Sequence, residues 1–273
     1  MLNKIINLDR RIIFVIVALA VIIPTILPAR LPITVSEPTQ KVYDYIEALP
    51  QGAAVMMSFD YGPSSMPEPT AIAKAVLRHC FSKGVRVIGM TLSIEGVPLA
   101  HSTIEDIAKE KSAVDGEDYT YLGFRPGVIP VILGMSIKIE NIFDKDYAGK
   151  PLSEIPMMQQ ITNYNDIDML LVLASGDTVE SWITYAQTQS PLKIAAGTTA
   201  VINSQLYPFL QTGQLMGLLN GYLGAAEYET LMGDFAEGSL GLNIASWVHT
   251  LIVGLVIIGN IVFFKQQYQK QKD

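Results

Sequence analysis

At 273 residues the chain is long enough for one or two domains, and its 49% hydrophobic content and mean hydropathy of +0.31 exceed what a soluble domain needs. A formal net charge of −7 argues against nucleic acid as a partner, because phosphate backbones are held by an excess of Lys and Arg. The single cysteine, Cys80, excludes an internal disulfide and leaves the compartment open.

The apolar excess is concentrated near the two ends. Ile12 to Leu27 is an uncharged apolar run of 16 residues. As a helix it spans only about 24 Å, so flanking residues or a locally thinner bilayer must help it to cross. The competing reading is a cleavable signal peptide with Arg10 and Arg11 as its basic region. No small-x-small site follows the run, which favours an uncleaved anchor. Residues 1–28 are therefore expected to be a cytoplasmic tip and a transmembrane helix, and 29–52 a proline-marked linker with a short helix carrying Tyr43, Ile46 and Leu49.

From residue 53 the pattern alternates. Apolar runs at 53–59, 85–92, 119–124, 168–175 and 192–196 read as strands, and the segments 68–83, 102–112 and 179–187 between them read as helices. Continuous apolar strands alternating with helices imply βαβ units and a sheet covered on both faces. The expected fold is a Rossmann-like three-layer α/β sandwich, with a mostly parallel sheet of about five strands, occupying 53–238. Residues 125–167 carry Pro126, Pro130, Pro151 and Pro156 and read as an insertion with one short helix at 128–135.

Before the second apolar run, Gly213, Gly217 and Gly221 recur every fourth residue. Read as one helix over 211–232, they form a ridge without side chains, which packs either on the domain's own sheet or on another subunit. Residues 239–273 then read as a transmembrane helix and basic tail. Ile244 to Phe264 is an apolar run of 21 residues, spanning roughly 32 Å. Asn243, Ser246, Thr250 and Gly254 fall on one face of it and suit a neighbouring helix. His249 lies off that stripe, at the level of lipid headgroups or as an ionisable group within the membrane.

Charge sets the expected orientation. Lys4, Arg10 and Arg11 against Asp9 give the first 11 residues +2, and the last nine carry +2 as well, which leaves −11 for residues 12–264. Basic flanks favour the cytoplasmic side, so both termini are expected inside the inner membrane, with the acidic domain periplasmic.

In a parallel α/β sheet, function sits in the loops after the strand carboxyl ends. Those loops place Asp60, Tyr61, Ser93, Glu95, Gly176, Asp177, Thr198 and Thr199 as candidate ligand-binding residues. Asp60 and Asp177 suit acid–base work or a hard cation, whereas Asp177 equally suits a helix cap. Gly197-Thr198-Thr199 can receive a phosphate at a helix start, although no basic partner is nearby. No glycine-rich dinucleotide loop, phosphate-binding lysine loop, nucleophile elbow or paired-cysteine motif is present. The segment Asp144 to Gly149 begins like a calcium loop and then departs from it at Ala148. His79 and His101 read as surface or groove residues.

No catalytic residue, metal ligand or cofactor is assigned on these grounds. The expected function is a non-catalytic, doubly anchored assembly subunit, partnered by lipid and by copies of itself or other subunits. A small-ligand-binding or sensing domain is the alternative, and an anchored hydrolase comes after it.

Overall fold

A computed structural model describes residues 10–29 and 32–270. The expected cytoplasmic tip at 1–9 and the last three residues of the tail lie outside the described residues. The chain divides into two compact units, Ile33–Gly238 and the pair of end segments Met1–Pro32 with Ser239–Asp273.

The end segments are helical. α1 (Arg10–Ile26) contains Pro24, and α9 (Glu237–Lys270) is 34 residues long. Within α9, Glu237–Lys265 is long and apolar enough to cross a membrane, with a mean hydropathy of 2.2. It is the one such helix among the described residues. α1 is shorter, an exposed apolar helix of 17 residues, so the pair of transmembrane helices expected from sequence is met at one end only. On the α9 stripe, the Ser246 hydroxyl donates to Leu242 O and Thr250 to Ser246 O, each at 2.8 Å. Both are thus satisfied within their own helix. Asn243 donates to Ala29 O, its Oδ1 is buried without a partner, and His249 is exposed.

The central unit alternates as the sequence implies. α2 (Glu37–Ala48) leads into β1 (Ala54–Asp60), followed by α3 (Pro67–Lys83), β2 (Arg86–Thr91), α4 (Gly96–Lys111) and β3 (Tyr119–Phe124). After β3 come α5 (Val128–Ile137), four 3₁₀ turns, β4 (Met169–Ala174), α6 (Thr178–Ala186), β5 (Ile194–Thr198), α7 (Ala200–Gln211), β6 (Gly217–Asn220) and α8 (Gly221–Met232). The sheet has six strands, all parallel, in the order β3-β2-β1-β4-β5-β6. Alternate residues of β1 enter opposite cores. Met56 faces the layer holding Trp182 of α6, whereas Val55, Met57 and Phe59 face α2, α3, α4 and α8. Both faces are covered, which is why these strands read as unbroken apolar runs.

Two expectations are corrected. The sheet has a sixth strand, and the single helix over 211–232 does not exist. Gly213 sits in a turn at φ +76°, Gly217 opens β6, and Gly221 opens α8 at φ +51°. A positive φ breaks a helix and favours glycine, and a four-residue strand flanked by such glycines mimics helical spacing. The ridge is therefore absent. A Cβ on Gly217 would meet Val42 and, at 2.6 Å, Pro38 O. The close backbone approach is real, but it is made to α2 of the same domain.

His79 is a further correction, being buried under α2 and α8. Its Nδ1 is 2.7 Å from the Tyr228 hydroxyl, its Nε2 is 2.9 Å from Glu47, and its ring stacks on Tyr43 at 4.6 Å. Burial pulls its pKa down against the opposing effect of Glu47. The insertion contributes buried Phe143, Leu152, Ile155 and Met157 to one core. It also returns to the outer side of β3, where Tyr147 N–H donates to Tyr121 O at 2.8 Å. Gly116 N–H likewise donates to Tyr119 O at 2.7 Å.

Candidate functional site

The strand order reverses direction between β1 and β4, and in open α/β sheets the crevice outside the strand carboxyl ends at such a point is the usual place for a ligand. Here that edge holds a cavity of about 600 Å³. Its hydroxyls come from Ser64 and Ser65 after β1, Ser175 after β4, Thr199 after β5 and Tyr222 after β6, and its apolar side chains include Val201 and Ile202. The one charged lining residue is Glu68, in the first turn of α3.

Glu68 is engaged. Its Oε2 accepts Ala200 N–H at 2.8 Å, which places a carboxylate on the amino terminus of α7. Free N–H groups and the helix dipole would otherwise favour an anion there. The position that Gly197-Thr198-Thr199 offers to a phosphate is thus filled from within the protein. Gly221 makes room for this arrangement, because a Cβ there would lie 3.0 Å from Glu68 Oε2 and 3.2 Å from Ala200 N.

The sequence candidates divide into two groups. Thr199 lines the cavity. Gly176 and Asp177 are exposed at the same edge, and Asp177 makes no side-chain cap to α6, so the capping reading of it is not met. Glu95 is exposed and lies over Gly62, and Ser93 closes the β2 turn through its N–H on Thr91 Oγ1 at 3.0 Å. The other three belong to the interior. Thr198 is fully buried, and Tyr61 is 1% exposed with its hydroxyl 2.9 Å from Thr70 Oγ1.

Asp60 is 5% exposed and ties three elements together. It accepts from Ser58 Oγ at 2.8 and 2.9 Å, from Leu92 N–H at 2.7 Å, and from Trp182 Nε1–H at 3.3 Å. Burial pushes its carboxyl up to about 6, with these hydrogen bonds opposing the rise. A carboxyl held this way serves as a knot between β1, the β2–α4 connection and α6 and is withdrawn from solvent. That removes it as half of an exposed acid–base pair with Asp177.

Sequence reading missed Ser64, Ser65, Glu68 and Tyr222 as lining residues, whereas Ser175 belongs to the polar ring that the loops after the strands imply. The first three sit within a few residues of β1, and their position in the loop was the available signal. Tyr222 was hidden by the helical reading of 211–232. Among the described residues, no group of three or more His, Cys, Asp or Glu is placed to hold a metal ion. Asp146 of the partial calcium loop instead accepts Lys150 N–H at 2.8 Å, and Asp144 pairs with Arg125 at 3.2 Å. Comparison with protein-family models, curated proteins and solved structures found no match.

Proposed function

We propose that the chain is a membrane-anchored, non-catalytic domain that binds a small ligand at the carboxyl edge of its sheet. The observation that carries this reading is the 600 Å³ cavity beside the β1/β4 reversal, lined by four Ser and Thr hydroxyls and a tyrosine. The lining contains no Lys, Arg, His or Cys, and its only carboxylate is committed to α7. Such a surface suits an uncharged, hydroxyl-bearing group better than phosphate, and it has no nucleophile–base pair for hydrolysis.

The anchoring that goes with this reading has α9 and the shorter α1 spanning the inner membrane, both termini cytoplasmic and the acidic domain periplasmic, and it is supported by the length and apolarity of α9 and by the basic residues outside the apolar runs. The test is thermal unfolding of the full chain in lipid nanodiscs with free sugars and polyols, amines, inorganic phosphate and nucleotides. Polyols should raise the melting temperature by a few degrees in the wild type and not in Tyr222→Ala. A shift with phosphate or nucleotides alone, or with nothing in the panel, counts against the reading.

Assembly with other subunits is the second reading. With the glycine ridge gone, it rests on the polar stripe of α9, where Asn243 buries an amide oxygen without a partner. Particle size of the detergent-extracted chain tests it. A monomer of 29.9 kDa plus micelle would sink it.

A further inference from the structure

A second cavity, of about 90 Å³, lies beside β3 and shares no lining residue with the one at the β1/β4 reversal. Four segments that are separate in the chain enclose it. α4 contributes His101 and Glu105, the loop before β3 gives Asp115, β3 gives Tyr121, and the insertion gives Asp146 and Tyr147. Three of these are carboxylates, and the lining contains neither Lys nor Arg. The basic groups that reach the carboxylates are Lys109 and His101, each 3.4 Å from an oxygen of Glu105, and Lys150 near Asp115. Partial burial raises the Asp115 carboxyl above its usual range, Asp146 and Glu105 push it the same way, and Lys150 opposes the rise. Like charges gathered in a partly dehydrated space favour a cation among them.

Asp146 separates this cavity from an ordinary acidic surface, because it is only 8% exposed. The turn it begins fixes it in place. Its N–H donates to Lys150 O at 2.9 Å, and its Oδ1 accepts Lys150 N–H at 2.8 Å. Among the described residues nothing donates to its Oδ2. A buried carboxylate oxygen without a donor carries an uncompensated desolvation cost, and the place for that donor is the cavity that Asp146 lines. Aromatic rings form the adjoining wall. The Tyr147 ring is 4.8 Å from His101 and 5.2 Å from Tyr121, and His101 is 5.9 Å from Tyr121. Such rings attract cations through their quadrupole. They are poor partners for Ca²⁺ or Mg²⁺, which want oxygen ligands on every side, and no acids or histidines here are grouped to supply them.

Size and donors then decide the kind of cation. The volume has room for a few water-sized groups, which admits an ammonium head with its first carbons and excludes a whole nucleotide or sugar. A primary ammonium brings three N–H donors to carboxylates that lack them, whereas a quaternary ammonium brings none. We propose that this cavity binds the ammonium end of a primary alkylamine. Asp146 is its principal anion, Asp115 and Glu105 stand beside it, and the rings of Tyr147 and His101 meet its first carbons. The site is independent of the cavity at the strand ends and of the ligand-binding reading given for that cavity.

The test is calorimetric titration of the full chain in phosphatidylcholine nanodiscs at constant ionic strength, with empty discs as the blank. The probes are n-butylammonium, tetramethylammonium and calcium chlorides. n-Butylammonium should bind saturably, and the other two several-fold more weakly or not at all. Asp146→Asn keeps an acceptor for Lys150 N–H and removes the charge, so it should weaken n-butylammonium binding by about tenfold or more. Tyr147 is 49% exposed and can be replaced with little risk to folding, and Tyr147→Leu should weaken binding by about two- to fivefold. Tyr222→Ala, in the other cavity, should leave it unchanged. No saturable binding of n-butylammonium overturns the proposal, as does binding that neither Asp146→Asn nor Tyr147→Leu weakens, or that Tyr222→Ala abolishes. Equal or tighter binding of tetramethylammonium or calcium overturns the assignment to a primary ammonium.

Discussion

Asp60 stands at the end of a strand in a loop position where a sequence reader looks for chemistry, yet Ser58, Leu92 and Trp182 turn it inward. Its consequence is a pH dependence of opposite sign to that of a salt-bridged carboxylate. Folding raises its pKa from 3.8 to about 6, so the native state holds the proton more tightly than the unfolded chain. Its contribution is therefore most favourable below about pH 4 and declines as pH rises through about 6, by up to about 3 kcal/mol. Chemical denaturation of wild type and Asp60→Asn between pH 4 and 7 checks this. The wild type should lose stability relative to the variant over that interval, and a flat difference would remove the buried-acid account. Glu227 and Glu229 make a second residue-scale case. Glu227 holds the start of α2, and Glu229 accepts the N–H groups of Ala236 and Gly238 at 3.1 and 2.7 Å, at the start of α9. Glu227→Ala and Glu229→Ala should each cost about 1–3 kcal/mol of domain stability in thermal or urea unfolding, because buried donors are left without acceptors. Spacing along the chain cannot reveal such partners, since Ser36 and Glu227 are 191 residues apart.

At the scale of elements, the legible parts were those with a strong period. β1 and β4 are buried throughout, β2 is buried from Val87 onward, all three are dominated by apolar residues, and α3 ends on Gly84 in the left-handed conformation. β6 was illegible for a physical reason. Its four residues are too few to establish a two-residue period, and the surrounding glycines serve turns and a close contact, with a spacing that coincides with helical repetition. Gly217 is the residue that exposes the difference. In the structure its missing side chain is the space into which α2 settles, against Val42 and Pro38. Gly217→Ala should therefore lower the stability of the domain by about 1–3 kcal/mol through overpacking and leave the particle size in detergent unchanged. A change in size with unaltered unfolding would return the residue to an intersubunit role. The candidate site was legible to the extent that it lies in loops after strands. Thr199 was found that way, whereas Asp60, Tyr61 and Thr198 were drawn into the core by neighbours that only the fold reveals.

For the molecule as a whole, composition and the two apolar end runs lead to the expectation of a membrane anchor, and α9 is the helix long and apolar enough to cross a bilayer. Resistance of the chain to alkaline carbonate extraction from membranes is the expected outcome. Release by carbonate would mean that α9 packs in protein instead of lipid. The sheet itself carries a separate consequence. A parallel sheet left open at either side offers unpaired backbone groups to any other strand, and six strands leave two such sides. On one of them the loop before β3 and the insertion after it answer the carbonyls of Tyr119 and Tyr121 with the N–H groups of Gly116 and Tyr147, and on the other β6 is only four residues long. Neither side is a template on which a second copy could continue the sheet. Copies of this domain are thus hindered from fusing into a shared ribbon, and the proline-broken segment after β3 shares with the loop before it the covering of that edge.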